Sequence, residues 1–95
     1  MKILEHMIEE LDGGREYAEK YIDCKARGDI PRATKYKEMA NDELRHFATI
    51  RDFAIADAEG IKRVHTLTEH EVEWWEHNHK RLNDEVAMVN HLLSM

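Results

Sequence analysis

Apolar side chains recur at steps of three and four residues along most of the chain, which is the spacing of one face of an α-helix. No stretch of useful length alternates apolar and polar residues as a half-buried strand does. The stripe in the middle of the chain comprises Tyr36, Met39, Ala40, Phe47, Ile50, Phe53 and Ala54. The pattern therefore predicts an all-α protein.

Two turn signals divide this helical pattern into three parts. In the first, residues 27–31, Gly28 suits the left-handed position after a helix and Pro31 suits the first turn of the next one. In the second, residues 58–60, Gly60 is the expected stop. The predicted helices are therefore at about 2–27, 31–58 and 61–93.

The first predicted helix has a wide apolar arc, formed by two neighbouring stripes, so it should be covered on two sides. We expect an antiparallel helical hairpin plus a long third helix in a single domain spanning residues 1–95. Three long amphipathic helices make an incomplete four-helix bundle, and a second copy of the chain is the simplest source of the missing helix. The expected state is a homo-oligomer built on a dimer.

Composition narrows the class of protein. The 95 residues are 42% hydrophobic and 36% charged, with a formal net charge of −6, so we expect no nucleic-acid partner. The N-terminal residues carry Glu5 and lack a long apolar run, which argues against a signal peptide and a membrane anchor. The single cysteine, Cys24, excludes an intrachain disulfide and a cysteine-based zinc site. A cytoplasmic setting is expected.

Each predicted helix places ionisable residues within its apolar stripe: Glu10 in the first, Glu43 and His46 in the second, and His79 in the third, where Glu76 lies at the edge of the stripe. Burying an unpaired carboxylate costs several kcal/mol, so chance placement in three helices is improbable. If the chain reverses direction at residues 58–60, reflection about that point sets residue 76 level with residue 43 on the neighbouring helix. The reversal at residues 27–31 brings Glu10 within about two helical turns of Glu43. A bound metal ion would neutralise such a cluster.

The spacing of these residues suits metal ligation. Glu43 and His46 are three apart and share a helix face, as do Glu76 and His79. Carboxylate with imidazole favours iron or manganese, and zinc is an alternative. Other interpretations remain open: Glu43 and His46 as a solvated pair, or His79 as a hydrogen-bonded core residue with Glu76 at the surface. Glu69, His70, Glu73 and His77 are expected on an outer face, solvated or forming a second surface site.

The stretch ELDGGREY, from Glu10 to Tyr17, and the stretch MANDELRHFA, which contains Glu43 and His46, together resemble the rubrerythrin branch of the ferritin-like superfamily. The resemblance covers residues 3–58. It implies a ferritin-like fold, metal-ligand roles for Glu10, Glu43 and His46, and a hydrogen-bonding role for Tyr17 behind the ligands. The chain departs from the family in having one and a half helical hairpins rather than two, and in lacking a rubredoxin-like Cys-x-x-Cys domain.

Encapsulated ferritins and small prophage-associated ferritin-like proteins are similar in length and layout. The former pair two chains across the metals. The resemblance therefore implies an encapsulating shell or a phage protein as a partner. It also implies a carboxylate/histidine di-iron site that oxidises Fe(II) with dioxygen or peroxide, as a ferroxidase does. The alternative is a non-enzymatic helical assembly module or phage accessory protein, with a structural metal or none. Gly13 and Gly14 indicate either a kink or a close helix approach beside the metal.

Overall fold

The computed structural model consists of three helices: α1 (Lys2–Ala26), α2 (Ile30–Val64) and α3 (Glu69–Leu93). It describes residues 2–64 and 69–95, and the side chains within them apart from those of residues 2–4, 58, 61–64, 69–72 and 75. Over these residues the chain contains no strand. The expectation of an all-helical protein is therefore confirmed.

The turn between α1 and α2 has the geometry that its sequence predicts. Gly28 adopts a positive φ of 76°. The Gly28 N–H donates to the Lys25 carbonyl (3.1 Å) and the Asp29 N–H to the Cys24 carbonyl (2.9 Å), which are the two hydrogen bonds of a Schellman motif. The Asp29 carboxylate then accepts the Arg32 N–H at 3.3 Å as an N-terminal cap of α2. A helix end and a helix start are thus joined without a flexible segment.

The second turn is not where the sequence pattern placed it. Helix α2 continues through residues 58–60 to Val64, and α3 begins at Glu69 rather than near residue 61. Gly60 has no positive φ. A glycine inside a helix costs about 1 kcal/mol relative to alanine, which weakens a helix without ending it. The reflection that set residue 76 level with residue 43 assumed the earlier turn, so it does not hold.

Helix α1 packs antiparallel to α2 along most of its length, and α3 runs parallel to α1. Two contacts establish the direction of α3: Arg15 Nη1 lies 3.5 Å from Glu85 Oε2, and Lys25 Nζ donates at 2.6 Å to the carbonyl of Met95, just after the end of α3. The Cα positions extend over 55 × 18 × 17 Å. The described helices include none that is long and apolar enough to cross a bilayer.

The buried apolar side chains form two clusters along this length. The cluster nearer the α1–α2 turn is built mostly from small residues: Ala18, Tyr21, Cys24, Ala33, Ala40, Val89 and Leu93. The second cluster is built from larger side chains: Met7, Leu11, Phe47, Ile50, Ala54 and Leu82. Full burial of one large apolar side chain such as Phe47 contributes about 1.5–3 kcal/mol. Leu44 packs against both clusters and joins them.

Helix α3 covers only one side of the α1–α2 hairpin. We call this side the covered edge, and Leu11, Leu44, Leu82 and Val86 define it. The opposite side, the open edge, carries Glu10, Met39, Glu43, His46 and Phe53. On α2, residues 39, 46 and 53 are seven apart and therefore share one face. Met39 and Phe53 are exposed there, Phe53 to 59%. The described residues of the single chain thus leave an apolar face of α2 uncovered.

Candidate metal-binding site

Three ionisable side chains from two helices meet on the open edge. One ligand atom from each of Glu10, Glu43 and His46 lies within 4.8 Å of the other two. Within the part of the chain that the structure describes, this is the one group of three or more His, Cys, Asp or Glu residues with such geometry. The antiparallel register set at the turn brings Glu10 of α1 opposite Glu43 and His46 of α2.

The histidine links the two carboxylates. His46 Nδ1 lies 3.4 Å from Glu10 Oε2 and 4.0 Å from Glu43 Oε1. On the other side, His6 Nε2 lies 3.2 Å from Glu10 Oε1 and belongs to the previous turn of α1. Each oxygen of Glu10 therefore faces an imidazole, and these contacts fix the plane of its carboxylate.

The two carboxyl groups influence each other's protonation. The pKa of Glu43 is raised, mainly because its protonated form donates a hydrogen bond to Glu10, and further because the group is partly buried and lies beside a second carboxylate. The pKa of Glu10 is lowered, mainly because its carboxylate accepts that hydrogen bond, and also because His46 and His6 interact with it. The two carboxyl groups therefore titrate as a coupled pair, in which the protonated form is favoured at Glu43 and the charged form at Glu10.

A glycine provides the space for one of these carboxylates. A Cβ atom built on Gly13 would lie 3.1 Å from Glu43 Oε2 and 3.4 Å from Glu43 Cδ. The end of the Glu43 side chain thus lies directly over the backbone of α1. At Gly14 the same added atom would come no closer than 3.6 Å, to Glu43 Cβ. These two glycines allow α1 and α2 to approach closely beside the site. This agrees with the interpretation of the glycine pair as a close helix approach.

The site lies at the edge of the hairpin rather than deep within the apolar core. The side chains of Glu10, Glu43 and His46 are 17%, 25% and 58% exposed, so the expectation that the acids lie among buried apolar neighbours is only partly met. The apolar stripe from which this expectation was derived includes Met39 and Phe53, which face solvent in this chain. A site in this position is accessible to ions and to a second molecule.

Glu76 and His79 are not brought into this group. Helix α3 contacts α1 through the face that bears Leu11 and Arg15, whereas Glu10 projects from another side of α1. Glu76 is exposed and His79 is partly buried. The described side chains at Glu73 and His77 are also exposed and form no metal-ligand group, and those of Glu69 and His70 lie outside the described residues.

No side-chain hydrogen bond joins Tyr17 to Glu10, Glu43 or His46 in the described residues, although the resemblance implied such a role. The hydrogen-bond partners of Glu10 among the described residues are His6, Glu43 and His46. The Tyr17 ring instead stacks on Tyr36, with centroids 6.3 Å apart, and the Lys20 ammonium lies 6.0 Å from its centroid. Tyr17 therefore packs the α1–α2 interface on the turn side of the site.

One residue of the site, His6, was missed in the sequence, and Gly13 was recognised there only as a possible kink or close helix approach. His6 precedes Glu10 by four positions, so the spacing that places both on one helix face was already visible. The contact of Gly13 with Glu43 was not predicted, because a sequence does not show which side chain of the opposite helix lies over a given glycine.

The ligand atoms fit a first-row transition metal ion. Ligands about 2.1 Å from one ion lie roughly 3 to 4.2 Å from each other, and the His46 to carboxylate distances of 3.4 and 4.0 Å fall in that range. Comparisons with protein-family models, with curated proteins and with solved structures found no match to this chain.

Proposed function

We propose that this protein binds iron through Glu10, Glu43 and His46, in a site of the carboxylate/histidine type found in ferritin-like proteins. The observation that carries the proposal is the convergence of these three side chains from two helices to within 4.8 Å. Two carboxylates and one imidazole are ligands that favour iron or manganese over metals that prefer sulfur. With iron bound, the site would support the oxidation of Fe(II) by dioxygen or peroxide, which is the reaction of a ferroxidase.

The chain's own residues prepare this site in different ways. Glu10 and Glu43 provide oxygen ligands and the negative charge that attracts a cation. His46 provides a nitrogen ligand on the exposed side of the site. His6 contacts the Glu10 oxygen that is turned away from His46, and a partner of this kind orients a ligand and tunes its basicity. A bound metal ion would favour the charged form of both carboxyl groups.

A second copy of the chain is the natural source of further ligands. Three protein ligands leave an ion incompletely coordinated, and His46 is largely exposed. Met39 and Phe53 flank His46 one heptad away on either side and are exposed apolar groups. Pairing two open edges would cover these side chains and bring together six ligands, enough for two iron ions. We therefore favour a homodimer that shares the site over a set completed by Glu76 and His79.

A second function class has its own support. Glu10 and Glu43 interact with each other, and His6 and His46 also face Glu10, so neighbouring side chains offer polar contacts to this pair without any cation. The exposed apolar open edge would then act purely in assembly, as in a phage accessory protein or another helical module. Metal content and oligomeric mass of the purified protein distinguish this function from iron binding.

The decisive test is iron binding by the variant Glu43→Ala. Anaerobic Fe(II) titration followed by metal analysis should show stoichiometric binding by the natural chain and at least a 100-fold weaker affinity in the variant, because loss of one of three ligands costs far more than about 2.7 kcal/mol. Glu38→Ala is the matched control. It removes an exposed carboxylate of the same helix, which pairs with Lys35.

Equal iron binding by the natural chain and Glu43→Ala would refute the assignment of the site. Helical content by circular dichroism should remain unchanged in both variants, since neither residue belongs to the apolar clusters. Oxygen consumption on addition of Fe(II) then separates a ferroxidase from a protein that only holds the ion. A crystal soaked in Fe(II), with anomalous scattering, would count the ions and identify their ligands.

A further inference from the structure

Gly13 lies in the interior of α1, where a glycine has no backbone reason to be. In the described residues the only positive φ belongs to Gly28, so the backbone at position 13 would accept any helical residue. Glycine there costs about 1 kcal/mol of helix stability relative to alanine. The explanation for this glycine has to come from what lies over it.

The carboxyl end of Glu43 occupies that space. An added Cβ at position 13 would meet Glu43 Oε2 at 3.1 Å, Cδ at 3.4 Å and Cγ at 3.5 Å, so it would touch the ligand group along its length. The other carboxylate oxygen, Oε1, is the one directed towards His46 at 4.0 Å. The Glu43 carboxylate is thus held between the Gly13 backbone on one side and the His46 imidazole on the other.

The neighbouring glycine provides a contrast. A Cβ at Gly14 would lie 3.6 Å from Glu43 Cβ, 3.8 Å from the Ala40 carbonyl oxygen and 3.9 Å from Leu44 Cδ2. These are ordinary packing distances, and none involves the carboxylate. A methyl group at position 14 would therefore fill space between the helices, while one at position 13 would compete with the ligand.

We propose that Gly13 is a positioning residue of the metal site, whose missing side chain leaves the Glu43 carboxylate room to lie over α1 within reach of an ion shared with Glu10 and His46. This inference rests on the proposed function. It assigns a specific role to a residue that offers no ligand atom. It also explains why a helix-weakening residue stands at this position.

A consequence of this role is that stability and metal affinity respond to Gly13→Ala in opposite directions. Alanine improves helix propensity, so the metal-free protein should unfold at the same or a higher temperature. The displaced carboxylate should weaken binding of Co(II), used here as a stable probe for Fe(II), by about 10- to 100-fold, the range typical when a residue supporting a ligand is altered. Gly14→Ala should raise the unfolding temperature and change Co(II) affinity less than about threefold.

The experiment is calorimetric titration of Co(II) into the natural chain and both variants, with thermal unfolding of each metal-free protein. Weakening confined to Gly13→Ala, without loss of stability, is the expected result. Unchanged Co(II) affinity in Gly13→Ala would overturn the inference. Equal weakening of Co(II) binding in both variants would also overturn it, because that result would indicate an effect of helix spacing alone.

The crystal structure of metal-free Gly13→Ala provides a measurement that does not depend on metal binding. The inference expects the Glu43 carboxylate to be displaced relative to Glu10, and an unmoved carboxylate would overturn it. If the natural chain binds neither Co(II) nor Fe(II), the proposed function fails, and displacement in this structure still decides whether Gly13 positions the carboxylate.

Discussion

The two edges of the α1–α2 hairpin differ in what they expose. The covered edge is closed by α3 and joins Leu11, Leu44 and Leu82 in continuous apolar contact. The open edge combines exposed apolar side chains with the three candidate ligands. Both edges belong to the same pair of helices, so the difference arises from the side on which α3 packs. Among the described residues, the candidate ligands thus lie on the edge that α3 does not cover.

Two phenylalanines of α2 illustrate the contrast. Phe47 is 1% exposed and packs within the cluster that α3 closes, whereas Phe53 is 59% exposed on the open edge. The two phenylalanines are separated by less than two helical turns along α2. A phenylalanine left largely in water contributes little to the stability of the single chain, and the homodimer proposed above would cover it.

The largest expected effect comes from truncating each phenylalanine in turn. Phe47→Ala should lower the free energy of unfolding by about 3–5 kcal/mol, because it leaves a cavity in the core. Phe53→Ala should change the stability of the monomer by less than about 0.5 kcal/mol. Denaturant unfolding at low protein concentration measures both, and a comparable loss in the two variants would show that the edges do not differ as described.

An intermediate effect is expected from placing a charge on the open edge. Phe53→Asp should shift the protein from dimer to monomer, because it buries a carboxylate in the proposed interface. Met88→Asp, at an exposed methionine of α3, is the control and should leave the mass unchanged. Analytical ultracentrifugation over a range of concentrations decides the matter, and a natural chain that is monomeric throughout would contradict the proposed pairing.

The smallest effect concerns the carboxyl pair in metal-free protein. Because the pKa of Glu43 is higher in the folded state than its ordinary value of 4.5, its contribution to stability falls as the pH rises from 4.5 through the raised pKa. The lowered pKa of Glu10 acts in a more acidic window, where stability falls as the pH decreases. At neutral pH, removal of the Glu43 charge should therefore be stabilising.

Glu43→Gln isolates this contribution. The amide donates permanently to Glu10, so the metal-free variant should unfold at a higher temperature than the natural chain at pH 7, with the difference shrinking towards pH 4.5. Added Fe(II) should stabilise the natural chain and not the variant. Identical pH profiles for the two metal-free proteins would show that the carboxyl groups are not coupled.

Local sequence signals predicted the first half of the fold well. Gly28 and Asp29 lie where a helix end and a helix start require them, and the structure shows both capping interactions. The second turn was misplaced because Gly60 is a weak signal that a long helix overrides. A stronger signal was present in Thr68 followed by Glu71, which is the capping-box spacing just before α3 begins at Glu69.

The site could be predicted to the extent that it depends on local spacing and on the first turn. Glu10, Glu43 and His46 are positioned by both, and the structure brings them together. Glu76 and His79 were grouped with them through the misplaced turn. The exposure of His46 was not predictable, because helical periodicity gives the width of an apolar face but does not say which part of it a third helix will cover.

The tight connection at Gly28 and Asp29 has a consequence for the evolution of the chain. Glu10 and Glu43 lie far from this turn, yet their relative orientation depends on its length. One residue inserted there would rotate the whole of α2 by about 100° and shift it by about 1.5 Å relative to α1. Loops usually tolerate such changes in length, but lineages that preserve the facing acids should show no insertions or deletions between these helices.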